Sequence, residues 1–185
     1  MLTPEDALML LRAFPDVTSF PPLIPILVGA TSRSTEKRFG QILAPYLADP
    51  SSVFVISSDF CHWGSRFRYT YYQPESGAAK NLSSRDRRPT NPPIYESIAA
   101  VDHLSMDAIE GGSHKEFLDV LEETGNTVCG RHPIGVVMAA IEVLEKDEKV
   151  SQGKGRFKFV RYERSSDCET YNDSSVSYCS AFAIF

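Results

Sequence analysis

The chain lacks several of the features that most readily reveal a function. No apolar run approaches the length needed to span a bilayer. The opening residues, MLTPEDALMLL, carry no basic region and meet a proline and two acids at once, unlike a secretory signal. The four cysteines, Cys61, Cys129, Cys168 and Cys179, are spread widely with no CxxC pair. A secreted disulfide framework would be denser, so the compartment expected is the reducing cytoplasm, extending to the nucleus. There is no Gly-rich phosphate loop, no HExxH and no GxSxG elbow, and no internal repeat. Positive charge is in deficit: the net charge is -5. A nucleic-acid binder normally carries a basic face, so nucleic acid is not an expected partner. What is present is ordinary for one globular domain over 1–185, with 42% hydrophobic and 23% charged residues. A chain of this length buries a core without covalent staples.

The pattern of apolar residues predicts an α/β fold. A short helix is expected over 3–14, with Thr3 as cap and Pro4 in its first position. Residues 23–29, LIPILVG, read as a buried strand in which Pro25 is awkward. Residues 34–47 read as a helix, with Phe39, Ile42, Leu43, Tyr46 and Leu47 inward and Pro45 shortening or kinking it. VFVIS, 53–57, is the clearest strand, apolar throughout as if both faces were covered. Residues 73–93 are polar and rich in Ser, Pro and Arg, the composition of a long flexible loop insertion. Three helices follow, over 94–110, from Ser113 to Gly125 with a capping box at Ser113 and Glu116, and from Pro133 onward. Strands over 156–163 and 175–185 close the chain. The class is a mixed β-sheet flanked by helices.

Two stretches concentrate reactive side chains. SSDFCHWG follows the 53–57 strand and delivers Asp59, Cys61 and His62 to its carboxyl end, where open α/β sheets place ligands. His62 has the chemistry of an acid–base group or ligand, and Asp59 that of its orienting partner. Equally, Asp59 could cap a turn while Cys61 and His62 fill the core. The second stretch is NTVCGRHPIGVV, where Cys129 precedes a helix that opens near Pro133. A helix N-terminus and the neighbouring Arg131 favour thiolate, a soft metal ligand or redox group. The alternative is a helix-entry turn with a buried cysteine. Gly130 lets the backbone approach a ligand closely. His103 and His114 fall on predicted helices without ligand spacing and read as surface residues. The SSDCETYNDSSVSYC segment reads as turns and caps, and spacing alone does not settle whether Cys168 and Cys179 pair.

The blocks LIPILVGA, YLADPSSVFVISSDFCHWGSRFRYTYY, CGRHPIGV and DSSVSY together resemble the Memo family. The resemblance runs from about Leu10 to the C-terminus, interrupted at 73–93. It implies the LigB-like fold of the class III non-haem iron extradiol dioxygenases. It also implies a role in motility signalling downstream of a receptor tyrosine kinase, a link to redox control, and iron or copper at a remnant of the dioxygenase pocket. In the family that pocket uses two histidines from the N-terminal part and the cysteine of CGRHPIG. Carried over by motif, Cys129 is the metal-ligand cysteine. Asp59 and His62 stand beside it as relics, His62 at the place of the dioxygenase acid–base histidine.

One departure from the family is decisive for expectation. Segments like PHAGY, GPSHH and EHSIEMHLPY, which carry the two ligand histidines, have no counterpart here. The chain therefore reads as a C-terminal portion, truncated or degenerate relative to the family. A facial iron site needs three protein ligands, so no dioxygenase activity and no cofactor are expected of this chain alone. Iron or copper is expected only for a full-length member. The 53–57 strand is expected to present an unpaired edge that invites self-association. A second reading makes the pocket a docking site for a protein or phosphopeptide, with Arg66 and Arg68 among the aromatics Phe67, Tyr69, Tyr71 and Tyr72 as the contact surface. A third makes the chain a metal-dependent extradiol-type dioxygenase or oxidoreductase, which would require an upstream histidine pair.

Overall fold

A computed structural model describes residues 22–148, 150 and 154–185. Helix α1 (Arg33–Leu47) begins where Ser32 Oγ accepts the Thr35 N–H. Helix α2 (Ile94–Gly111) stops at Gly112, whose φ of 76° is left-handed territory that glycine adopts without strain. Ser113 then caps α3 (His114–Thr124) by accepting the Glu116 N–H, as the sequence predicts. Helix α4 (Arg131–Lys146) is the centre of the molecule, with every residue from Ile134 to Ile141 buried. A helix apolar all round is one surrounded by protein.

Strand β5 (Ser175–Phe182) lies between β1 (His62–Trp63) and β4 (Lys158–Arg164), antiparallel to both. A separate hairpin pairs β2 (Tyr71–Tyr72) with β3 (Lys80–Asn81). The α/β class stands as helices with small antiparallel sheets. Phe60, Ile109, Phe117 and Met138 form one core cluster. Trp63, Ile94, Ile98 and Cys168 form a second, and Leu47, Ile141 and Leu144 a third.

Several elements differ from expectation. The helix expected over 3–14 lies outside the described residues. Residues 23–29 and 53–57 form no ladder with another strand among the described residues. Burial over 53–56 nevertheless alternates. Val53 and Val55 are 79% and 44% exposed, while Phe54 and Ile56 pack inward. The period of a strand is present, but only one of its two apolar faces is covered. In α1 the buried stripe is Glu36, Gly40, Ala44 and Leu47, and Phe39, Ile42 and Tyr46 face outward. The reason is close packing. A Cβ on Gly40 would sit 2.7 Å from the Ala139 carbonyl carbon, so α1 and α4 touch along their smallest residues. Residues 73–93 are mostly exposed, with Leu82 buried and Asp86 tied to Lys80 and Ser83.

Candidate functional site

Two loops build the site. The first runs from Ser58 to His62 into β1, and the second from Asn126 to Gly130 into α4. They are zipped together by their own backbones. Asp59 accepts the Cys129 N–H at its carbonyl, 3.1 Å, and donates its own N–H to Cys129 Sγ, also 3.1 Å. Gly130 N–H donates to Ser58 Oγ at 2.9 Å. A Cβ at Gly130 would lie 2.3 Å from Ser58 Cβ, so only glycine permits this approach. Here the glycine admits the facing loop of the same chain.

The zip continues at His62. Its N–H donates to Thr127 Oγ1 at 2.7 Å. Its Nδ1 lies 3.0 Å from the Phe60 carbonyl and 3.2 Å from that of Thr127. Two carbonyl acceptors at one ring nitrogen require Nδ1 to carry the proton. Its Nε2 faces Asp59 Oδ2 at 3.6 Å. Phe67 meets the imidazole edge-on with ring centres 5.3 Å apart, and the Arg66 guanidinium stacks over Phe67 at 4.4 Å. Arg66 and Arg68 are both exposed, on and just after a 3-10 turn at Ser65–Phe67.

Asp59 thus touches both His62 and Cys129, the arrangement that the family resemblance implies, and Cys129 is exposed. Cys61, in contrast, is buried. Burial, then the nearby Asp102, pushes its thiol well above the ordinary range. Burial likewise raises Cys168 and Cys179, each to about 12. All four thiols are free, so Cys168 and Cys179 do not pair. Among the described residues no group of three or more His, Cys, Asp or Glu side chains is placed to hold a metal ion. The thiol, imidazole and carboxylate of this cluster therefore do not fit iron by themselves.

Two features were not foreseen. Asp102 of α2 is fully buried, and Asn126, Tyr162 and the Cys61 N–H all donate to its carboxylate. Its position between Val101 and the other inward residues of α2 was the available signal. The second is Glu36, buried between His114 Nε2 at 2.7 Å and His132 Nδ1 at 2.9 Å, with Thr31 Oγ1 donating at 2.8 Å. Burial would raise the Glu36 carboxyl, but the bonds from His114, His132 and Thr31 outweigh it and hold it below its ordinary value. His114, read as a surface residue, is in fact fully buried. Its carboxylate partner makes burial tolerable. With Nε2 bonded to Glu36, Nδ1 of His114 is left without a hydrogen-bond partner among the described residues. A Cβ on Gly135 would stand 2.6 Å from Glu36 Oε2, so α4 is bare where this pair crosses it.

The fold and these two zipped loops define a helix-rich α/β protein that presents a thiol beside an imidazole–carboxylate pair. The Memo-like protein family profile matches residues 5–182, and the chain belongs to that family. It is 46% identical to Protein MEMO1 of Rattus norvegicus and 45% identical to that of Homo sapiens, each over 156 residues. Those matches cover 84% of this chain and 46% of each relative. A MEMO1 family protein of Schizosaccharomyces pombe is 42% identical over 87% of this chain and 51% of its own length. The chain thus spans about half the length of the curated relatives it matches. No helix among the described residues is long and apolar enough to cross a membrane.

Proposed function

We propose that the chain supplies the thiol-bearing part of a redox-linked, metal-binding centre in a non-catalytic Memo-family signalling protein of the cytoplasm and nucleus. The observation that carries this reading is the exposed Cys129 Sγ, held by the Asp59 N–H beside a His62 whose Nε2 faces the Asp59 carboxylate. A thiol receiving a backbone N–H bond is poised as a soft ligand or an oxidisable group. Iron or copper would take Cys129 as one ligand and needs further donors besides those described here. Turnover is not expected, because oxygen activation at iron needs three protein ligands with open positions beside them. The test is ring cleavage of a catechol by the purified chain with Fe(II). No product above the protein-free control is expected, and measurable ring-opened product would overturn the non-catalytic reading.

A second reading has its own observation. Arg66, stacked on Phe67 against His62, holds a planar set of donors at the rim of the cluster, with Arg68 next to it. Such a pair suits a phosphopeptide or acidic protein segment. Replacing both arginines by alanine should abolish capture of a phosphotyrosine peptide array, and binding that survives the double change would exclude this surface.

A further inference from the structure

Asp102 has no part in the chemistry proposed above, yet both loops of the site meet on it. Its Oδ1 accepts the Cys61 N–H at 3.2 Å, and Cys61 lies between Asp59 and His62. The same oxygen accepts Asn126 Nδ2 at 2.9 Å, three residues before Cys129. Oδ2 accepts the Tyr162 hydroxyl at 2.9 Å, and Tyr162 Oη lies 3.0 Å from Ser177 Oγ. Four segments converge on one carboxylate: α2, the His62 turn, the Cys129 loop and the β4–β5 pair. Among the described residues Asp102 has no ion-pair partner, and its exposure is 0%. Burial drives the carboxyl upward, and its hydrogen bonds offset only part of that. An uncompensated buried carboxylate is a poor way to gain stability, and an apolar side chain would fill the space at less cost. What a carboxylate provides there is two acceptor oxygens at fixed spacing, which bind donors from separate segments at once.

We propose that Asp102 is a positioning residue that sets the register of the His62 turn against the Cys129 loop, and with it the Asp59 N–H to Cys129 Sγ bond. The inference stands whether or not the site takes a metal, because it concerns how the loops are held. It is tested on metal-free full chain with two readouts, the Asp59 amide proton shift and the rate of Cys129 alkylation. Asp102→Ala should move the Asp59 amide upfield and change the alkylation rate by about fivefold, the worth of one net hydrogen bond. Asp102→Asn should restore both, since its carbonyl oxygen replaces Oδ1 and its amide donates to Tyr162 Oη. Leu144→Ala, a core truncation near the far end of α4 in the third cluster, should leave both readouts at wild-type values while lowering stability. Should Asp102→Ala not fold, Asn126→Ala and Tyr162→Phe divide the question. Asn126→Ala should move both readouts and Tyr162→Phe neither. An unchanged Asp59 amide and alkylation rate in Asp102→Ala, an equal response from Leu144→Ala, or a response to Tyr162→Phe alone would overturn the proposal.

Discussion

At the scale of single residues, the chemistry rests on which thiol is available. Cys61 and Cys168 are buried and Cys179 is half-buried, and burial raises all three. Thiolate is the species that reacts, so Cys129 is the one cysteine expected to alkylate readily at neutral pH. Peptide mapping after brief iodoacetamide treatment should find the label on Cys129 alone. Comparable labelling of all four in folded protein would contradict the structure. The proximity of Asp59, His62 and Cys129 is what the resemblance to the Memo family implies, carried by the SSDFCHWG and CGRHPIG motifs; spacing alone marks two separate reactive stretches. Thr127, Asp102 and the His62 tautomer were not legible in the sequence. Each depends on a hydrogen bond between residues 41 to 65 positions apart, which no local spacing encodes.

At the scale of elements, α1 is held against α3 and α4 by Glu36 and by Gly40. The sequence suggested the helix but the wrong face, since large apolar residues usually mark the buried side and here the buried stripe is small and charged. Gly40→Ala tests this directly. Helix propensity alone would favour alanine by ~1 kcal/mol. Overpacking against the α4 backbone should instead destabilise by about 1–3 kcal/mol in urea unfolding. The Glu36 tether is also pH-dependent. Its folded carboxyl lies below the ordinary value of 4.5, so its stabilisation is present above that value and is lost as pH falls through the lowered one. Glu36→Gln should be less stable at neutral pH by about 3 kcal/mol, because it breaks a buried pair and leaves His114 unmatched. It should also lose less on acidification to about pH 3 than wild type does. An identical acid limb in both proteins would remove Glu36 from the account.

At the scale of the whole molecule, the uncovered apolar surface is the leading feature. Leu23, Ile24, Ile26, Leu27, Val53 and Val55 are all exposed. Apolar exposure on this scale marks an interaction surface or a route to association. Sedimentation should show species heavier than the 20.6 kDa chain, reduced by Val53→Lys with Val55→Lys. Apolarity predicts strands at 23–29 and 53–57 that form no ladder among the described residues, because apolarity records that a face is to be covered, not by what. The central claim is that Cys129, beside His62 and Asp59, is a metal-binding and redox-linked thiol. Titration of the chain with Cu(I) against a competing chelator, in wild type and Cys129→Ser, tests it most directly. The account predicts weak association of one Cu(I) per chain in wild type, since Cys129 is only one of the ligands a full centre needs, and its loss in Cys129→Ser. Equal binding by both proteins, or none by wild type, would contradict it.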